Sequence, residues 1–246
     1  MISLLMTAIL TVIVWNRTPL FSGEWNKQTI YVALLDVWHG LSNDDKAYAL
    51  WIDDDGTEGI FNAKKIAETI GIKPCFAVIA NKMTPQVRDS LVSWQQRGSA
   101  DIALHGFNHE RWKEWSDEQI ELDIRQSIQS LHHQGFDTTM ILPLVVPPHS
   151  CNTRAIRYVI SQHGFQMITG ASLVNPDRHV FQMGRISITK QTDTIAIRQL
   201  LQRAYSRKAF VIFGTHSANS ESFSEAKTHQ VLSIAKEIGF CFDFIE

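Results

Sequence analysis

The chain has 246 residues, a formal net charge of −2, 20% charged residues and 44% apolar ones. A balance so close to neutral excludes a large basic field for nucleic acid, and so high an apolar share supplies a core and excludes a disordered chain. Length alone accommodates either one large α/β domain or two small ones.

The first segment, Met1 to Trp15, is almost wholly apolar and is followed by Arg17. It is shorter than the roughly 20 residues of a spanning helix and nearer the apolar stretch of a signal peptide. No basic stretch precedes it, and no clean small-residue cleavage site appears before Glu24. Residues 1–23 are expected to be an export signal or N-terminal membrane anchor, which makes the protein exported or cell-envelope associated. Uncleaved, the segment would tether it to a membrane. The other reading is a core element at the start of the domain.

Thr18 to Asp45 has weak periodicity, with a candidate strand at Tyr31–Val37 and a turn at Asn43-Asp44-Asp45. The apolar run Ala47 to Ile52 then ends abruptly in Asp53, Asp54, Asp55 and Gly56. A buried strand finishing in acids is one way α/β folds present chemistry at strand carboxyl ends. A solvated acidic turn is the other reading of the same residues.

Beyond Gly56 the pattern alternates. Ile60 to Ile70 has a helical period closed by Gly71. Cys75 to Ala80 is a strand, Thr84-Pro85 opens a helix to Arg97, and Asp101 to Leu104 is a strand that delivers His105. Ser116 and Gln119 form a capping box for a helix to about Gln134. Met140 to Val146 is a strand ending at Pro147-Pro148, and Asn152 is expected to cap a helix from Thr153 to Gln162. Phe165–Thr169, Arg185–Thr189, Ala209–Phe213 and Phe240–Ile245 are further strands, with helices at Ile195–Tyr205 and Ser224–Ile238. Repeated alternation with short loops and no linker implies a single α/β domain with a mostly parallel sheet, closed as a distorted (β/α) barrel. Cys75, Cys151 and Cys241 are far apart, without CxxC pairing, and read as buried thiols or as one disulfide plus a thiol.

The polar residues fall at the carboxyl ends of these strands. Asp53 to Asp55 follow the first, His105 and His109 the third, His149 the Pro-Pro end, and His216 the run AFVIFG. In a parallel barrel such positions converge on one face. His105 and His109 are four apart; in a helix or tight turn both imidazoles can chelate one metal, and a carboxylate would leave an open position for water. No Glu stands beside His105 to serve as base, and a bare HxxxH is also compatible with two ordinary histidines. Trp112 and Trp115 follow this motif and read either as a sugar-stacking wall or as packing.

In ordered set, these motifs resemble the polysaccharide deacetylases, the carbohydrate esterase family 4 or NodB-homology group. Asp54-Asp55-Gly56 matches the end of that family's first motif, with Asp53 in a slot usually aromatic. His105-Gly106-Phe107-Asn108-His109 matches its second, with Gly106 replacing a hydroxyl residue, and Val146-Pro147-Pro148-His149-Ser150 matches its third in part, with Val146 in place of an Arg. Phe210 to His216 matches the last. The resemblance covers about Ala47 to Ser217 and implies a catalytic domain over residues 24–246 that removes N-acetyl groups from an amino-sugar polysaccharide.

It further implies that Asp55, His105 and His109 bind a metal, zinc or another divalent transition ion, with Asp54 as general base and His216 as general acid. Pro147 and Pro148 have no N–H, so the first donor for an oxyanion after them is the backbone of His149, with Pro148 beside it. With Val146 in the Arg slot, another residue must hold Asp54. Arg185 is the candidate, an ordinary surface arginine being the other reading. Hydrolysis of another amide or ester, and a non-catalytic carbohydrate-binding relative, are the alternatives in function.

Overall fold

The computed structural model describes residues 45–55, 57–170, 174–219 and 221–242, with Asp55 described by its backbone alone. The candidate strand at 31–37 and the apolar segment over 1–23 lie outside these residues. Among the described residues no helix is long and apolar enough to cross a membrane.

Eight strands form one parallel sheet: β1 (Tyr48–Asp55), β2 (Cys75–Val78), β3 (Asp101–Leu104), β4 (Ile141–Val145), β5 (Gln166–Thr169), β6 (Gln182–Gly184), β7 (Ile186–Ser187) and β8 (Phe210–Thr215). Their spatial order is β6-β5-β4-β3-β2-β1-β8-β7. The helices are α1 (Ile60–Ile70), α2 (Pro85–Gln96), α3 (Asp117–His133), α4 (Arg154–Gln162), α5 (Thr194–Ser206) and α6 (Glu225–Ile238). The architecture is the expected single-domain (β/α) barrel, nearly closed.

Closure depends on one short run of chain. The two ends of the sheet, β6 and β7, are consecutive in sequence and separated by Arg185 alone. The run Gln182–Ser187 therefore pairs with β5 through its first half and with β8 through its second. The expected strand at 185–189 is this split element, shifted toward the amino end. Asn175 stitches the gap that the split leaves. Its backbone exchanges hydrogen bonds with Phe210, both 2.9 Å. Its side-chain amide donates to the Gly184 carbonyl at 2.9 Å and accepts from the Gly184 N–H at 2.8 Å. Asn175→Ala would leave both Gly184 groups buried and unpaired, and is expected to lower the unfolding free energy by about 2–3 kcal/mol in urea titration.

Strand alternation sorts the core into two layers. Tyr48, Leu50, Ile52, Ala103, Leu144, Phe210 and Ile212 fill the barrel interior. Ala49, Trp51, Val78, Leu104, Val211 and Phe213 face the helices. The helix caps follow the sequence closely. Gly71 closes α1 in the left-handed conformation at φ 74°, Thr84 caps α2, and Ser116 and Gln119 make the reciprocal capping box of α3. One cap differs from expectation: Thr153, not Asn152, caps α4, and the Asn152 Oδ1 instead accepts from Arg157. Cys241 forms an isolated parallel bridge with Tyr48, the start of the expected last strand, whose remaining residues from 243 on lie outside the described set. All three cysteines are free thiols.

Candidate active site

The acids of the first strand lie within it rather than beyond it. Alternation along β1 sends Asp54 inward, in step with Leu50 and Ile52, and Asp53 outward, in step with Trp51. Both carboxylates are 1% exposed, which excludes a solvated acidic turn. Charges this deep must be paired or hydrogen-bonded.

Asp54 has its partners. Arg185 Nη1 lies 2.5 Å from each carboxylate oxygen, and His216 Nε2 is 3.2 Å from Oδ2. The Arg185 and Asp54 side chains are 4% and 1% exposed, so Arg185 is no surface residue. Burial alone would raise the Asp54 carboxyl, but the Arg185 guanidinium and the His216 hydrogen bond hold it well below the usual carboxylate range. Arg185 reaches Asp54 because it occupies the β6–β7 junction and its stem crosses Gly214 of β8. A Cβ at Gly214 would stand 2.7 Å from Arg185 Cδ.

The facing wall is built of histidines. His105 leaves β3 and donates Nδ1–H to the Val146 carbonyl at 2.7 Å, which fixes the tautomer with the lone pair on Nε2. Val146, in the slot where an Arg was expected, buries its side chain in the barrel interior and contributes this carbonyl instead. The segment from His105 to His109 is a loop, not a helix, and the two rings still meet, with centroids 4.7 Å apart. Two backbone features make the loop compact. His109 adopts φ 61° and Gly106 φ 82°, both left-handed. A Cβ at Gly106 would lie 2.9 Å from Pro148 Cγ and 3.3 Å from Asp123 Oδ1, so the hydroxyl residue of the family pattern has no room.

His149 adds a third ring, 4.4 Å from that of His109, and its Nε2 lies 3.1 Å from the His109 carbonyl oxygen. Burial first, and then the neighbouring His105, His149 and Lys82, pushes His109 down to about 4, so it is neutral at pH 7 as a metal ligand must be. A cavity of about 250 Å³ joins Asp54, His105, His109, His149, Arg185 and His216.

Asp53 is the site residue that the sequence leaves without a role. Its Oδ2 accepts from Thr215 Oγ1 at 2.5 Å and from the Ser217 N–H at 3.1 Å, and its Oδ1 accepts from Ser217 Oγ at 2.6 Å. Burial pushes its carboxyl up to about 7, against the pull of the Ser217 and Thr215 hydrogen bonds.

The family model described as "Polysaccharide deacetylase" matches residues 41–168 of the 246. The chain belongs to the polysaccharide deacetylase family. Among curated proteins none matches. Solved structures of similar fold include the family 4 carbohydrate esterase domain of a multidomain xylanase from the hindgut metagenome of Trinervitermes trinervoides, 17% identical with a TM-score of 0.55 over 81% of this chain and 87% of that one. A family 4 carbohydrate esterase from Streptomyces lividans in complex with acetate is 16% identical, with a TM-score of 0.57 over 82% and 94%. A family 4 acetyl xylan esterase from Clostridium thermocellum in complex with a cobalt ion is 12% identical, with a TM-score of 0.56 over 80% and 87%. At these identities the likeness is one of fold.

As a polysaccharide deacetylase the chain is divergent, and its departures are accounted for locally. Arg185 contacts Asp54, and both side chains are buried. Pro148 does not line the cavity; it is buried and packs over Gly106, while Pro147 and His149 form the lining. Trp112 is 0% exposed and offers no face to a sugar, while Trp115 is half-buried and packs against the same core. Among the described residues no three His, Cys, Asp or Glu side chains stand together as a metal cluster. His105 by its tautomer and His109 by its neutrality nevertheless suit a divalent ion. The side chain of the third expected ligand, Asp55, is outside the described set.

Proposed function

We propose that this polysaccharide deacetylase hydrolyses N-acetyl groups of an amino-sugar polysaccharide with the help of a divalent metal, zinc or a similar transition ion. The observation that carries this reading is Asp54, buried between Arg185 and His216 and facing His105 and His109 across one cavity. A buried carboxylate so arranged has perturbed protonation and reach to a substrate, as functional sites require.

His105, His109 and Asp55 would hold the ion. The chemistry such an ion supplies when bound is acidification of water and polarisation of the acetyl carbonyl. Asp54 accepts the proton of the attacking water, and Arg185 fixes the orientation of its carboxylate. The backbone N–H of His149 faces the oxygen that becomes negative. His216 returns a proton to the departing amine nitrogen, so the C–N bond breaks to give acetate and a free amine. The proton taken at Asp54 Oδ2 is one hydrogen bond from the His216 nitrogen that gives one back. We read the apolar first 23 residues as an export signal or membrane tether that places the enzyme with its polymer at the cell envelope.

Acetate release from N-acetylated chitin and peptidoglycan oligomers, measured before and after dialysis against a chelator, tests the proposal. Release is expected to vanish on chelation and return with zinc. Bound metal with no acetate from any polymer would indicate another amide or ester as substrate. Neither metal nor acetate would make the protein a non-catalytic carbohydrate-binding relative.

A further inference from the structure

We propose that Asp53 is the positioning residue for His216: by gripping the residues on both sides of it, it aims the imidazole at Asp54. This rests on the reading of His216 as the proton donor. In β1 and β8, Asp53 is the register partner of Thr215. Both belong to the outward-facing set of their strands, with Trp51 and Phe213, while Gly214 and Asp54 belong to the inward set. Period-two alternation gives the residue after Thr215 the inward direction, provided the chain keeps its course past the strand end. Nothing in the β ladder enforces that course, because β8 ends at Thr215.

Asp53 enforces it. Three hydrogen bonds from Thr215 and Ser217 converge on its two oxygens, so residues 215 and 217 are fixed on the outer side and residue 216 is left to point inward. Thr215 is itself oriented by Trp51, whose Nε1–H donates to its Oγ1 at 2.9 Å, so the Thr215 hydroxyl hydrogen goes to Asp53. The grip is tight against the neighbouring helix as well. Gly59, before α1, abuts Ser217 so closely that a Cβ there would lie 2.5 Å from its carbonyl carbon. His216 is 43% exposed at its side chain, unlike Asp54, and lies next to a turn. A half-exposed imidazole at a strand end takes its direction in part from its backbone neighbours, and Asp53 holds both.

Asn at position 53 can reproduce every contact, its carbonyl oxygen accepting from Thr215 and the Ser217 N–H and its amide donating to Ser217 Oγ. Ala reproduces none. Asp53→Ala is therefore expected to lower kcat by about 10²-fold, the cost of displacing a catalytic group by about an ångström, with KM and metal content unchanged, and Asp53→Asn to restore most of the loss. In a His216→Ala background Asp53→Ala is expected to add no further loss; an additive loss would show that Asp53 acts by another route and overturn the proposal.

The second readout does not depend on turnover. In ¹⁵N-histidine-labelled protein the His216 Nε2 resonance is expected to shift and broaden in Asp53→Ala and to stay in place in Asp53→Asn. An unchanged His216 signal in Asp53→Ala would overturn the proposal. If His216→Ala alone leaves acetate release intact, the assignment of His216 as donor fails, and the resonance still decides whether Asp53 positions it. Should Asp53→Ala not fold, Thr215→Val with Ser217→Ala removes the hydroxyl donors from the other side and is judged by the same signal.

Discussion

Arg185→Ala is expected to lower stability by about 3–5 kcal/mol and to reduce turnover far more than metal affinity. The two charges are almost wholly removed from solvent, and the guanidinium touches both carboxylate oxygens. Deleting it leaves a desolvated anion with the His216 contact at 3.2 Å. The cost of such a broken pair is mainly that of the stranded charge, so removing both partners should cost less than removing one. Arg185→Met combined with Asp54→Asn is accordingly expected to unfold at higher urea than Arg185→Ala. His105 is held by the Val146 carbonyl, on the wall of the cavity that faces Arg185, so bound metal should persist. Chemical denaturation, metal content and acetate release on the same preparations check each part, and unchanged turnover would remove Arg185 from the site.

Asp54→Asn is expected to reduce acetate release by about 10²–10⁴-fold, the usual contribution of a positioned general base. The substitution is nearly isosteric, and the amide oxygen can still accept from Arg185, so the fold and the cavity should survive with a smaller stability loss than in Arg185→Ala. Because Asp54 is assigned to proton transfer and Asp55 to the ion, zinc content should match that of the wild type. A loss of zinc in step with the loss of turnover would exchange the two roles. Wild-type turnover in Asp54→Asn would rule out Asp54 as the proton acceptor.

Much of this architecture was legible because it follows from local chemistry. The capping box at Ser116, the left-handed stop at Gly71 and the Thr84-Pro85 start each declare a helix end within a few residues. The strand-end positions of His105, Asp54 and His216 declare a common face. Arg185 was found by a deficit, since Val146 cannot hold a carboxylate.

What was not legible depends on contacts between distant residues. Asp53 reads as one more acid in a turn, and only the pairing of Asp53 with Thr215 across β1 and β8 reveals its partners. A signal was nonetheless present, since Asp53 shares the parity of buried Trp51 rather than that of Asp54. Trp112 could not be settled between sugar wall and packing because proximity in sequence to His109 says nothing of direction, and its side chain turns into the core. The split strand at 182–187 was blurred because its halves are three and two residues long, too short for a period to show.

The partner of the buried carboxylate sits on the last rung that makes the sheet a ring. Before the run from Gln182 to Ser187 has docked on both β5 and β8, Arg185 has no route across Gly214 to Asp54. Completion of the ring and seating of Arg185 on Asp54 are thus a single event, and under the proposed mechanism any molecule in which that rung has slipped would be silent as a hydrolase even while the rest of its strands remain paired.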